Sequence, residues 1–471
     1  MTYSLILGGR KVATATTFDV VNPATGAVIA QCPLGSVADL DAAVAAARAA
    51  FPGWAATPDA DRKVALGQIA ALIEAHAGEL AGLITAEQGK PQLGPGAPFE
   101  VGGCIAWTQV TQGLENPVEV LIDTTTERVE LVREPVGVVA SITPWNWPLM
   151  IAVWHIMPAL RVGCTVVMKP SPYTPLATLR MVELIHDAGI LPPGVLNIVT
   201  GDAEVGDRIS AHPGIDKIAF TGSTATGRRI MERAGATLKR LTLELGGNDA
   251  GIVLPGTDMR RRMDDLFWGA FINAGQTCSC LKRLYVHDDD YEALCAGLAR
   301  HVAGIKVGDG AEPDTLIGPL SNRMQFDKVV ALVEDARQKG ARILTGGVAP
   351  NGGGYVYPLT IIADATEDMR VVAEEQFGPV LPVIRYSRLD DAIKAANALE
   401  LGLGASVWGD DSDEAALVAR RLVAGTRWVN RHGVLNPTVP MGGVKQSGIG
   451  VEFGAEGLRE YTNVQILSIA K

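Results

Sequence analysis

Two periodicities alternate along most of this chain: short apolar runs rich in β-branched residues, and longer stretches in which apolar positions recur every three to four residues. Residues 39–51 read as an alanine-rich helix, and 61–88 continue with helical periodicity. Residues 136–142 read as a strand ending in the loop Thr143-Pro144-Trp145-Asn146, and 164–168 as a short buried strand. In the segment Lys169-Pro170-Ser171-Pro172-Tyr173-Thr174-Pro175, Thr174 reads as an N-cap and Pro175 as the first residue of a helix reaching Gly189. A strand at 195–199, a helix at 203–210 and a strand at 217–220 follow, and a turn over 221–227 leads into a helix at 228–234.

This alternation predicts an α/β fold with right-handed crossovers and a mostly parallel sheet. Ligands in such sheets sit beyond the carboxyl ends of the strands, where Asn146, Lys169 and residues 222–227 fall. A second set starts near Gly246, with strands at 283–286 and 342–345 and helices at 290–303 and 323–339. Two α/β units joined near Leu245-Gly246-Gly247 are therefore expected. Residues 119–133 depart from the alternation: they read as two extended strands, an antiparallel hairpin projecting from the body, with an edge of the kind that finds a partner.

Composition narrows the partners. The 471 residues include 41 Lys and Arg against 52 Asp and Glu, a formal net charge of −11, and the pI is about 5.2. A field of that sign disfavours nucleic acid and anionic membrane surfaces. Six cysteines make no disulfide framework at this length, and none has zinc spacing, so no metal is expected and a reducing, cytoplasmic setting is. The short Leu5-Ile6-Leu7 run is too brief for a signal-peptide core. Residues 135–160 carry no charge, but Pro144, Pro148, Pro158, Asn146 and His155 mark strand, turn and buried helix rather than a membrane span.

Three segments carry candidate chemistry. In Gly275-Gln276-Thr277-Cys278-Ser279-Cys280, Cys278 follows small and polar residues that leave a thiol accessible, as a nucleophile requires; a buried structural cysteine is the competing reading. Cys280 forms a Cys-x-Cys pair with it, fit for packing or for a redox switch. Glu244 sits at an apolar strand end before two glycines, where burial raises a carboxyl towards the range of a general base. Residues 220–227 run from strand to helix and aim backbone N–H groups at an anion, without the Lys-Ser/Thr ending of a P-loop. The Gly-x-Gly-x-x-Gly dinucleotide fingerprint is absent.

Taken in order, Thr143-Pro144-Trp145-Asn146-Trp147-Pro148, Lys169-Pro170-Ser171, Phe220-Thr221-Gly222-Ser223, Glu244-Leu245-Gly246-Gly247, Gly275-Gln276-Thr277-Cys278, Glu375-Gln376-Phe377-Gly378-Pro379 and Gly442-Gly443-Val444-Lys445-Gln446-Ser447-Gly448 resemble the aldehyde dehydrogenase superfamily. The match runs from Asn22-Pro23-Ala24-Thr25-Gly26 to Tyr461. It implies two Rossmann-like α/β domains: an NAD(P)-binding domain of residues 1–115 and 135–245, and a catalytic domain of 246–445. It also implies oligomerisation segments at 116–134 and 446–471, a small antiparallel hairpin completed by the carboxyl-terminal strand, and a homodimer or homotetramer.

By the same resemblance, Cys278 attacks the aldehyde, Asn146 and the Cys278 N–H bind the oxyanion, and Glu244 activates water against the thioester. NAD or NADP is held by Lys169 at the adenosine ribose, Gly222 and Ser223 at the pyrophosphate and Glu375 at the nicotinamide ribose, with Phe377, Trp145 and Ile142 alongside. Trp147, Trp154, Ile272 and Met441 line the substrate mouth, none charged, which favours an apolar aliphatic or aromatic aldehyde. Three departures stand out. Pro172 replaces the glutamate that often excludes a 2′-phosphate, so both cofactors are admissible; His155 stands where lysine is common, near the proton route of Glu244; and Met441 stands where phenylalanine is common. The alternatives are a dehydrogenase of the succinate-semialdehyde type with Arg431 and His432 as a basic clamp, a coenzyme A-acylating enzyme, or an inactive structural homologue.

Overall fold

The alternating patterns resolve into two mixed sheets in the computed structural model, which describes residues 3–350 and 352–471. The first sheet has the order Arg10–Val12, Leu5–Leu7, Leu196–Ile198, Thr165–Lys169, Val138–Ile142, Lys217–Thr221, Arg240–Glu244, Gly448–Ile449. Its five central strands are parallel and its edges antiparallel. Burial on both faces explains why Thr165–Lys169 and Lys217–Thr221 carry no polar alternation. The register sets Ile142 beside Lys169 and Phe220, and Thr221 beside Glu244, so the expected site residues share one sheet end.

The second sheet has the order Arg342–Thr345, Thr360–Ala363, Val380–Tyr386, Leu281–His287, Asp249–Val253, Gly404–Trp408, Thr426–Val429, and only its first strand is antiparallel. The fold class is the expected α/β one. A third, antiparallel sheet joins Glu119–Asp123, Glu127–Pro135 and Thr462–Ala470, with Thr462 opposite Pro135 and Ala470 opposite Glu127. Gly448–Ile449, inside the stretch 446–471, instead pairs with Arg240–Glu244 at the edge of the first sheet.

Two local expectations need correction. The helical stretch 61–88 is two helices, Asp59–Ala75 and Ala77–Gln88, bent by 68° at His76. Thr174 is not a cap: helix Leu176–Asp187 starts after Pro175, and its first N–H groups, from Leu176 and Ala177, donate to the buried carboxylate of Glu87 at 2.6 and 2.9 Å. A distant side chain thus supplies what a local one was expected to. Thr174 Oγ1 donates to the Trp145 carbonyl.

Helix Pro148–Val162 follows Asn146 and starts with Pro at its first turn, where a missing N–H costs nothing. It is buried almost all round. Among the described residues no single helix is both long and apolar enough to cross a membrane.

Candidate active site

Cys278 lies between the sheets, just before strand Leu281–His287. The chain reaches it through a tight turn with Asn273 and Ala274 in the left-handed region (φ 52° and 54°). Gly275 continues this turn at φ +70°, and a Cβ there would sit 2.1 Å from the Gly378 carbonyl oxygen, so only glycine fits. Gln276, fully buried, fixes the turn: its Nε2 donates to the carbonyls of Asn273 and Pro319, and its Oε1 accepts from the Ser321 N–H at 2.8 Å. Cys278 is half-buried, whereas the other five cysteines are buried. Burial pushes its thiol up to about 12, against the pull of Lys282.

Asn146 is brought to the same place. Its Nδ2 donates to the Gln276 carbonyl at 2.9 Å, and its own carbonyl accepts from Asn273 Nδ2 at 2.8 Å and from Lys90 Nζ. Among the described residues nothing accepts from the Cys278 backbone N–H. An amide side chain and a backbone donor near one thiol are the parts of an oxyanion hole.

Glu244 ends its strand 5% exposed, with neither carboxylate oxygen hydrogen-bonded. Burial first, and then the carboxylate of Glu452, hold its pKa well above the usual carboxylate range. His155 is fully buried nearby: Nδ1 is 3.0 Å from Ser141 Oγ, and Nε2 is 3.1 Å from Thr221 Oγ1 and 3.0 Å from Glu452 Oε1. Thr221 pairs with Glu244 in the sheet, so His155 reaches the Glu244 strand end through Thr221 and Glu452.

A cleft of about 350 Å³ is lined by Trp145, Asn146, Gly222, Ser223, Gly246, Cys278, Glu375 and Phe377, among others. It collects most of the residues expected at the cofactor. Lys169 borders the same sheet end, 7% exposed, and its ammonium has no hydrogen-bond or ion-pair partner among the described residues. Burial lowers its pKa to about 8, opposed by Asp202. A buried amine without a partner, beside an open cleft, suits an incoming hydroxyl or phosphate. Ser223 caps helix Thr224–Ala234, its Oγ accepting from the Thr226 N–H. Glu375 is held by the Gly247 N–H at 3.1 Å and Lys282 Nζ at 3.0 Å, and Phe377 meets Trp145 edge-on with centroids 5.4 Å apart. Ile142 lies beside Lys169 rather than on the cleft wall.

On the opposite side, Trp147, Trp154 and Met441 belong to one apolar cluster against which Ile272 and Cys278 pack. Trp147 Nε1 donates to Thr277 Oγ1. Trp154 meets Phe453 edge-on and Trp107 at a tilt, at centroid distances of 4.7 and 5.6 Å. His432 is buried against Ser406 Oγ at 2.9 Å and lies 3.5 Å from Asp249, while Arg431 is exposed. Cys280 is buried, its Sγ 3.9 Å from the Ile272 carbonyl.

Sequence reasoning passed over Glu452, Lys282, Lys90 and Glu100. For Glu452, Lys90 and Glu100 the only signal is a charge flanked by apolar or small residues, as in Val451-Glu452-Phe453 and Gly89-Lys90-Pro91, and Lys282, beside Arg283, lacks even that.

The chain matches the model of the aldehyde dehydrogenase family over residues 11–467. It is 39% identical over 488 residues to a phenylacetaldehyde dehydrogenase of Pseudomonas fluorescens, with 99% of this chain and 96% of that protein covered. Among solved structures it is similar to an aldehyde dehydrogenase of Bacillus cereus described as an NAD+ complex, with a TM-score of 0.96 and 36% identity over 100% of this chain and 97% of that one. It is also similar to a betaine aldehyde dehydrogenase of Staphylococcus aureus in complex with NAD+, with a TM-score of 0.95 and 34% identity over 100% and 97% of the two chains. With that likeness spanning fold and sequence alike, the chain belongs to the aldehyde dehydrogenase family and is an oxidoreductase acting on aldehydes.

Proposed function

We propose that the protein oxidises an apolar aliphatic or aromatic aldehyde to the carboxylic acid with NAD or NADP as acceptor, by covalent catalysis at Cys278. Its thiol adds to the aldehyde carbon and forms a thiohemiacetal, while the Asn146 side-chain amide and the Cys278 N–H take the oxyanion. The dinucleotide, when bound, supplies the hydride acceptor that leaves a thioester on Cys278. Glu244 then takes a proton from water, and the resulting hydroxide releases the acid. Lys169, Gly222, Ser223 and Glu375 hold the cofactor in this reading, with Ile142, Trp145 and Phe377 beside them. Both similar solved enzymes are in complex with NAD+.

The observation that carries this reading is the convergence of Cys278, Asn146 and the cofactor-side residues on one cleft. The aromatic walls at Trp147, Trp154 and Phe453 support the substrate class, as does the phenylacetaldehyde dehydrogenase relative. The buried, engaged His432 argues against a semialdehyde clamp, and Glu244 against the acylating type. We further infer an NAD(P)-binding unit built on the first sheet, a catalytic unit on the second, and a homodimer or homotetramer assembled through the three-stranded sheet.

A panel of aldehydes containing phenylacetaldehyde, short aliphatic aldehydes and succinate semialdehyde, offered with NAD and NADP separately, tests it by absorbance of the reduced cofactor. Fastest turnover on the aromatic and aliphatic members is expected. Strict dependence on coenzyme A, a preference for the semialdehyde, or inertness to the whole panel would overturn it.

A further inference from the structure

Beneath the Cys278 loop lies a cation that the reaction as described does not use. Lys282 is the second residue of strand Leu281–His287, and its side chain is 3% exposed. Its Nζ donates to the Cys278 backbone carbonyl, pairs with Glu375 Oε1 at 3.0 Å and lies 5.7 Å from the Phe377 ring centroid. Gln376 Nε2 donates to the Lys282 carbonyl at 3.0 Å and fixes the strand from behind. Burying an ammonium is costly unless paired, and this one is spent entirely on the nucleophile's loop and on Glu375.

The charges around the thiol give that placement a use. Three carboxylates act electrostatically on the Cys278 thiol: Glu244 from the strand Arg240–Glu244, Asp249 from the strand Asp249–Val253, and Glu375 from the loop beyond helix Arg370–Ala373. Each opposes a thiolate, in a setting where burial already opposes it. Lys282 is the opposing charge. Its own burial disfavours the ammonium, but Glu375 and Asp249, together with the thiols of Cys280 and Cys278, outweigh that and raise its pKa.

We propose that Lys282 is a positioning residue that sustains the reactivity of Cys278: its charge offsets the three carboxylates around the thiol, and its hydrogen bond fixes the carbonyl of the nucleophile's own residue. The proposal rests on Cys278 as the nucleophile. It is read without aldehyde or cofactor, so its failure is distinguishable from failure of the proposed reaction.

The reduced enzyme is alkylated with iodoacetamide between about pH 6.5 and pH 8, the range below an unperturbed or raised thiol pKa in which rate tracks thiolate, and peptide mass spectrometry follows the label on Cys278. The other five cysteines are buried, so Cys278 is the first to react. Lys282→Gln keeps a donor for the Cys278 carbonyl but loses the charge, whereas Lys282→Arg keeps the charge. The Gln variant is expected to react about three- to tenfold more slowly at each pH, the higher nucleophilicity of a higher-pKa thiolate offsetting part of the loss. The Arg variant is expected to stay near the parent. Should Lys282→Gln fail to fold, Lys282→Met provides the same loss of charge. Parent-like alkylation in the uncharged variant, or equal slowing in the Arg variant, overturns the proposal.

Discussion

At Glu244 a strand places a carboxylate where nothing hydrogen-bonds it, and burial and Glu452 both oppose its charge. A group with a raised pKa is a base only above that pKa, so its share in turnover grows as pH rises through it. Removing the second carboxylate removes one of the two causes. Glu452→Gln is therefore expected to move the acid limb of the turnover profile to lower pH. An unchanged limb in steady-state assays across pH would dismiss the coupling. Glu244→Gln should release about one equivalent of reduced cofactor per Cys278 and then stall, because the thioester forms but water is not activated. A steady rate after the burst would reassign the base. Cys278 and Glu244 stand out as candidates in the sequence because the ordered series of motifs in which they sit resembles one family, not because either local context decides. Glu452 does not, since its meaning depends on the fold setting it beside a strand end more than 200 positions earlier.

Elements raise a different question: what holds Asn146, which sits in a loop, to the tolerance an oxyanion demands? Lys90 and Glu100 form a fully buried ion pair at 2.6 Å. Lys90 donates to the Asn146 carbonyl and lies 4.0 Å from the Trp147 ring centroid. Glu100 Oε1 accepts from the N–H groups of Leu149 and Met150, at 2.9 and 3.1 Å, at the start of helix Pro148–Val162. Helix Ala97–Gly113, which carries Glu100, thereby clamps both sides of the loop. Lys90→Met leaves a buried carboxylate unpaired and should cost about 3–5 kcal/mol in denaturant unfolding. It should also lower kcat by on the order of tenfold, but add nothing in an Asn146→Ala background if it acts through that residue. Full additivity in that double-mutant cycle would reduce the pair to a structural role. Four central strands of the first sheet, Val138–Ile142, Thr165–Lys169, Leu196–Ile198 and Lys217–Thr221, are legible within a residue or two, because a two-sided buried strand leaves an uninterrupted apolar run, whereas the edge strands are not. The clamp is not, and neither is the Glu87 cap that displaces Thr174, because each joins chain segments tens of residues apart.

Across the whole molecule, the three-stranded sheet is what a lone protomer leaves unfinished. Thr462–Ala470 exposes Val464 and Ile466 on one face and Leu467 and Ile469 on the other, by the two-residue alternation of a strand. Glu119–Asp123 adds Val120, Leu121 and Ile122, all exposed. An apolar single-layer sheet wet on both faces is costly, and two such faces ask for two coverings. The hairpin is legible in residues 119–133 from its β-branched run; its third strand is supplied by the resemblance, since a strand pairing across more than 300 residues leaves no local mark. Two separable interfaces are the expected consequence. Val464→Glu with Ile466→Glu charges one face, and Leu467→Glu with Ile469→Glu the other, without touching the Cys278 cleft. If each face covers a different neighbour, sedimentation velocity should show each pair of changes halving the assembly and the four together giving a monomer, with Cys278 alkylation retained. A parent that sediments as a monomer, or an assembly indifferent to all four charges, would remove the sheet from that role.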